Sequence, residues 1–163
     1  MNTLKNRKAL YAGSFDPFTK GHFDIVNRAL NLFDSITILV AVSPLKSSLL
    51  TMEERKKIIA EIFSNNPKIL VESYDGLIVD FAKHNDIKFI LRGLRPTGDF
   101  ELEFQMASMN KHLNPEIETY FLTTGENYFY VSSSLVKEVY KHGGDISDLV
   151  HENVLKFLNE KEK

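Results

Sequence analysis

Leu10-Tyr11-Ala12-Gly13-Ser14-Phe15-Asp16-Pro17-Phe18-Thr19-Lys20-Gly21-His22 is where the fold is first legible. A short apolar run ends at Gly13, a polar loop follows, and from Phe23 the apolar residues Phe23, Ile25, Val26, Ala29, Leu30 and Phe33 recur at helical spacing. The stretch is strand, loop, helix. The same unit recurs outward along the chain. Ser35 to Val42 is continuous and rich in β-branched residues, as a strand covered on both faces is. Ile69-Leu70-Val71, Phe89-Ile90-Leu91 and Tyr120-Phe121-Leu122 are shorter runs of that kind.

Helical patterns fill the gaps between them. Thr51-Met52-Glu53-Glu54 is a capping box opening a helix through Ile58, Ile59, Ile62 and Phe63. Leu77 to His84 follows an Asp75-Gly76 turn. Asp99 caps a helix carrying Phe100, Phe104, Ala107 and Leu113, and Ser132-Ser133-Ser134 opens another through Leu135, Val136, Val139 and Tyr140. Gly143-Gly144 breaks the chain, and Ser147 starts a last helix through Leu149, Val150, Val154, Leu155 and Leu158. Strict alternation predicts an α/β fold, a doubly wound sheet of about five parallel strands with helices on both faces. Such sheets bind ligands at the carboxyl ends of their strands.

The 163 residues suit a single domain, 1–163, with 1–7 and 160–163 as loose ends. A hydrophobic fraction of 43% supports a packed core and excludes a disordered chain. The formal net charge of −2 provides no global basic field for nucleic acid or an anionic membrane. The absence of cysteine excludes a disulfide framework, thiolate zinc sites and a catalytic thiol. No apolar signal region follows the N-terminus, and Ile36 to Val42 falls far short of the ~20 residues a bilayer span needs. The expectation is a soluble cytoplasmic protein without nucleic-acid or membrane partners.

Chemistry is sought in the loops after the strands. Gly13 to His22 carries two glycines, two hydroxyls and a histidine at a helix start, where free N–H groups and positive potential suit a phosphate. Its pattern is neither G-x-G-x-x-G nor G-x-x-x-x-G-K-[ST]. Ser43-Pro44-Leu45-Lys46-Ser47-Ser48 offers Lys46, a residue type that is ordinarily solvated in a polar loop. Arg92-Gly93-Leu94-Arg95 places two arginines directly after a strand, suited to phosphate or to plain surface ion pairs. Glu101 and Glu103 follow, in a position more typical of solvated helix carboxylates. Ser132 to Ser134 offer hydroxyls and backbone N–H groups, or ordinary caps. The other histidines, His84, His112, His142 and His151, share no metal-ligand spacing. Each signal is weak alone; together they converge on one sheet edge and favour polyphosphate chemistry.

Gly13-Ser14-Phe15-Asp16-Pro17 with Thr19-Lys20-Gly21-His22 resembles the T/H-x-G-H motif of the nucleotidylyltransferase superfamily, and Val131 to Lys137 resembles its I-S-S-S-x-x-R/K segment. Arg92-Gly93-Leu94-Arg95, Asp99-Phe100-Glu101 and Met109-Asn110-Lys111-His112-Leu113 narrow the likeness to the phosphopantetheine adenylyltransferases, over roughly residues 8 to 160. The resemblance implies a Rossmann-like domain. It implies adenylyl transfer from ATP to 4′-phosphopantetheine, giving dephospho-coenzyme A and pyrophosphate in coenzyme A synthesis. Mg²⁺ carried on the ATP phosphates, coenzyme A as a further ligand and a homohexamer are implied as well.

By the same resemblance, His22 faces the α-phosphate, and Ser14 and Phe15 contact ATP, Ser14 near the acceptor too. Lys46 and Arg92 hold the acceptor phosphate, and Ile78 lines the pantetheine arm. Gly93, Leu94, Arg95, Glu103, Tyr128, Phe129, Tyr130, Val131, Ser132, Ser133 and Ser134 surround the nucleotide. Ser14 stands where many members carry Thr, and Ile78 where some carry Met. The physics agrees: a phosphate monoester, whose second pKa is ≈ 6, needs no general base, so positioning and preorganised positive groups suffice. Two alternatives stay open: a sister enzyme using nicotinamide mononucleotide or glycerol 3-phosphate, and a module that binds ATP without turnover.

Overall fold

The computed structural model describes residues 6–41, 48–96 and 99–161. Five strands, β1 (Lys8–Gly13), β2 (Ser35–Ala41), β3 (Ile69–Tyr74), β4 (Phe89–Leu94) and β5 (Glu118–Thr123), form one sheet in the order β3-β2-β1-β4-β5. Every pairing is parallel. The chain first walks outward from β1 to β3, then crosses back to lay β4 on the other side of β1. The direction reverses between β1 and β4, and a crevice opens beyond the strand ends there.

Side-chain alternation assigns the two faces. Ala9, Tyr11, Ile36, Ile38, Val40 and Leu91 pack against Ile25, Val26 and Ala29 of α1 (Lys20–Ala29) and against Ile59 of α2 (Met52–Ile62). Leu10, Ala12, Leu39 and Ile90 point the other way, onto Val79 and Ala82 of α3 (Ile78–His84). The period of two puts neighbouring strand residues on opposite faces, and both faces are apolar because both are covered. A third cluster joins Leu50, Ile58, Val136, Ile146, Val150, Val154 and Leu158. It seats α5 (Ser133–Lys141) and α6 (Glu152–Lys161) against α2.

The capping box at Thr51 forms as the sequence implies: Thr51 Oγ1 accepts from Glu54 N at 3.2 Å, and Thr51 N donates to Glu54 Oε2 at 2.7 Å. Ser147, in contrast, does not begin a helix. Its N–H and hydroxyl bond the Asp145 carboxylate at 2.9 and 3.1 Å, a local turn that competes with helix. The following residues take a partner from the first loop instead. Lys20 N donates to Leu149 O at 2.9 Å, and Val150 bridges Thr19 in antiparallel fashion, so α6 starts at Glu152.

α4 (Asp99–Leu113) departs from the simple amphipathic pattern. Phe100, Leu102, Phe104, Met106, Met109 and Leu113 are all exposed, so much of its apolar surface faces away from the sheet. Two residues placed at loose ends by the sequence meet partners: Arg7 N donates to Asp34 at 2.8 Å, and Lys161 pairs with Glu54 at 2.7 Å. Among the described residues no helix is long and apolar enough to cross a membrane.

Candidate active site

A cavity of about 450 Å³ opens where β1 and β4 end. Ser14, Phe15, His22, Arg92, Gly93, Arg95, Glu103, Val131, Ser132, Ser133 and Ser134, all singled out by sequence, line it. Leu94, Tyr128, Phe129 and Tyr130 are not among the residues that line it, and neither is Ile78, at the start of α3. Lys46 lies outside the described residues.

Two glycines let the wall close up. A Cβ on Gly13 would sit 2.9 Å from the Phe15 ring, which folds back over it; Phe15 itself holds a left-handed φ of 49°. A Cβ on Gly93 would sit 2.4 Å from Ile25 Cδ1, so glycine there lets α1 approach β4. A non-glycine residue in the left-handed region marks a backbone held by its surroundings, as functional loops often are.

His22 is held by its own helix. Thr19 caps α1, and His22 takes the place usually filled by Glu in a capping box: Thr19 N donates to His22 Nδ1 at 2.9 Å. A backbone N–H is a donor only, so Nδ1 carries the lone pair and the neutral ring's proton lies on Nε2. Burial, then the Arg95 and Arg92 charges, push the imidazole down to about 3. His22 therefore stands as a neutral ring whose Nε2–H is the group able to donate. Its ring also packs edge-on to Phe15, with centroids 5.1 Å apart, and lies 5.3 Å from that of Phe18.

Arg92 leaves the carboxyl end of β4 and spans the crevice. It donates from Nε and from one terminal nitrogen to the two Glu103 oxygens at 2.5 and 2.6 Å, and from the other to Ala12 O at 2.7 Å. A bidentate pair of this kind fixes the guanidinium plane as well as its position. Glu103, expected at the nucleotide, has both oxygens on Arg92.

The structure adds residues that the sequence did not single out. Asp16, 5% exposed, gathers three donors: Lys137 Nζ at 2.9 Å, and the Leu49 and Leu50 N–H groups at 2.9 Å each. Burial opposes its charge, but the Lys137 and backbone hydrogen bonds outweigh it and hold the carboxyl below its ordinary range. Ser133 Oγ donates to Pro17 O at 2.8 Å, and Arg55 of α2 donates to Ser14 O at 2.6 Å. Thr124 places a buried hydroxyl on the wall with no partner among the described residues. Asp16 lies in the Gly13–His22 loop and offers a signal there, being an acid in a loop otherwise suited to anions. Arg55 and Thr124 offered none.

The site is thus a pocket of fixed cations, backbone N–H groups and hydroxyls. Among the described residues, four cationic side chains, Arg55, Arg92, Arg95 and Lys137, and two carboxylates, Asp16 and Glu103, line it. It suits a polyanion. Among the described residues, no group of three or more histidines or carboxylates is placed to hold a metal ion.

Comparison with known proteins agrees. The cytidylyltransferase-like family model matches residues 10–139. A phosphopantetheine adenylyltransferase from Anaeromyxobacter sp. (strain K) is 52% identical over 156 residues, covering 96% of this chain and 95% of that protein. Enzymes of the same name from Clostridium tetani and Ralstonia pickettii are 47% and 46% identical over 94% of this chain, covering 96% and 92% of their own lengths. By these likenesses the chain belongs to the phosphopantetheine adenylyltransferases, within the cytidylyltransferase-like family.

Proposed function

We propose that the chain transfers the adenylyl group of ATP to 4′-phosphopantetheine, giving dephospho-coenzyme A and pyrophosphate as a step of coenzyme A biosynthesis. The observation that carries this reading is His22, held as a neutral Nε2–H donor in a cavity lined by Arg92 and Arg95. An acceptor phosphate oxygen attacks the α-phosphorus, and the bond from that phosphorus to the β-phosphate oxygen breaks. The attacking dianion needs no base, and among the described residues no Ser-His-Asp arrangement stands at the site. Barrier lowering falls to alignment and to donors preorganised around developing charge.

In this reading Lys46 and Arg92 align the acceptor phosphate, with Ser14 beside it and Ile78 along the pantetheine arm. Glu103 acts through Arg92 by holding its plane. The nucleotide lies along Phe15, Gly93, Leu94, Arg95 and the stretch 128–134, with its phosphates toward the serines at the N-terminus of α5. Asp16 and Glu103 are both engaged by cations, so these residues offer no protein cage, and a Mg²⁺ ion would be held here through the ATP phosphates. Such an ion would neutralise phosphate charge. The uncovered apolar surface of α4 supports an oligomer, and we take the homohexamer as its form and the cytoplasm as its place.

The test is pyrophosphate release from ATP and Mg²⁺, with and without 4′-phosphopantetheine. Release that depends on this acceptor supports the reading. Release with nicotinamide mononucleotide or glycerol 3-phosphate in its place, or ATP binding without any release, overturns it. Sedimentation at six times the protomer mass checks the hexamer.

A further inference from the structure

Arg55 is 6% exposed and lines the cavity, yet both of its hydrogen bonds go to neutral carbonyls: Nε to Thr51 O at 3.2 Å and a terminal nitrogen to Ser14 O at 2.6 Å. No carboxylate of the described residues pairs with it. Asp16 is taken by Lys137, Glu103 by Arg92, and Glu54, one residue earlier on the helix, by Thr51 N and Lys161. A guanidinium is a permanent cation, and burying one without a counter-charge is costly. The counter-charge that suits it is an anion entering the cavity.

Its neighbours indicate which anion. Three side chains hold consecutive parts of the first loop: Arg55 on Ser14 O, Lys137 on the Asp16 carboxylate, and Ser133 on Pro17 O. Two of the three belong to α5, so the loop that Arg55 of α2 grips at Ser14 is held from α5 at Asp16 and Pro17. Arg92 anchors instead to Ala12 O, across the crevice on β4. We infer that Arg55 is an ATP-binding residue that engages the outer, β and γ, phosphates of the nucleotide, and hence the departing pyrophosphate, opposite the Arg92 clamp on the acceptor. The inference rests on the nucleotidyl-transfer reading above, which places the nucleotide phosphates at the α5 serines.

The test compares binding of ATP, pyrophosphate and AMP to the full-length Arg55→Met and Arg55→Lys proteins by calorimetry. AMP has no outer phosphates. Arg55→Met should weaken ATP and pyrophosphate roughly ten- to a hundredfold, the scale of a charge-assisted hydrogen bond, while AMP and the acceptor stay within about twofold. Arg55→Lys keeps the charge without the fork and should recover part of the loss. Should Arg55→Met fail to fold, as a melt would reveal, the same ATP-to-AMP ratio is read in Arg55→Lys. Equal weakening of ATP and AMP, no weakening of either, or weakening of the acceptor alone overturns the assignment; each would make Arg55 a brace for Ser14 and Thr51, or part of the acceptor clamp. Failure of the wider reading shows separately, in wild-type protein that releases no pyrophosphate with 4′-phosphopantetheine.

Discussion

Neutralising Asp16 while leaving Lys137 in place should destabilise the protein far more than a surface ion pair can account for. The pair is 2.9 Å long, with side chains 7% and 16% exposed, and the same carboxylate ends two backbone N–H groups. Breaking a buried pair from one side costs about 3–5 kcal/mol, because the survivor is left charged and poorly solvated. Some solvent reaches Lys137, so the lower figure applies: about 3 kcal/mol, or a fall in Tm of about 6–12 °C for a chain of this length. Asp16→Asn and Lys137→Met should each show it. The double variant should lose about 2 kcal/mol less than the sum, since neither charge is stranded. Thermal melts at fixed protein concentration read all four corners of the cycle. The pH dependence has a defined sign. The carboxyl is depressed in the folded state, so its stabilisation is full above the unfolded value of ~4 and fades as pH falls through the lower folded value. Asp16→Asn should lack that acid-side loss. Single losses under about 1 kcal/mol that simply add would refute the reasoning and reduce the pair to a surface contact.

His22→Ala should lower turnover by roughly 10²–10³ while ATP binding changes little, since it removes one donor to developing charge; pre-steady-state and binding assays separate the two. Imidazole NMR of the free protein should find His22 neutral with its proton on Nε2 from pH 8 down to pH 5, as a ring pushed down to about 3 requires, and Thr19→Val should loosen that preference. Its depressed value also means stability that is complete above ~6.5 and declines as pH falls toward 3, a slope that His22→Gln should remove. Gly93→Ala should cost about 1–3 kcal/mol in melts by driving a Cβ into Ile25, and Ile25→Val should be less costly in that background than in wild type. Glu103→Gln should raise the KM for the acceptor more than that for ATP, because it frees the Arg92 plane; an effect confined to ATP would return Glu103 to the nucleotide.

Local signals carried most of the fold. Apolar runs bounded by Gly, Asp-Gly and capping residues located all five strands, and the Thr51–Glu54 box forms as read. Ser147 misled because a hydroxyl before an apolar run opens a helix only when its neighbours lack a better partner, and Leu149 O and Val150 found one in Lys20 and Thr19. On α4 the exposed Phe100, Phe104 and Leu113 retain helical spacing without facing the sheet, a distinction that spacing cannot make. In the site, residues belonging to recognisable motifs were found and their partners were not. That Glu103 would end on Arg92, or Arg55 on Ser14, depends on folding that joins positions 11 and 41 residues apart, which leaves no periodic trace.

The first loop is written near the start of the chain and completed near its end. Ser133 closes on Pro17 across 116 positions, Lys137 on Asp16 across 121, and Ser147 O on Lys20 Nζ across 127. A ribosome that has released β1 through β5 has made every strand of the sheet but none of these clasps. Catalytic competence is therefore among the last things the chain acquires during synthesis. A product cut short before α5 can carry His22 and Arg92 and still lack the groups that hold the loop around them.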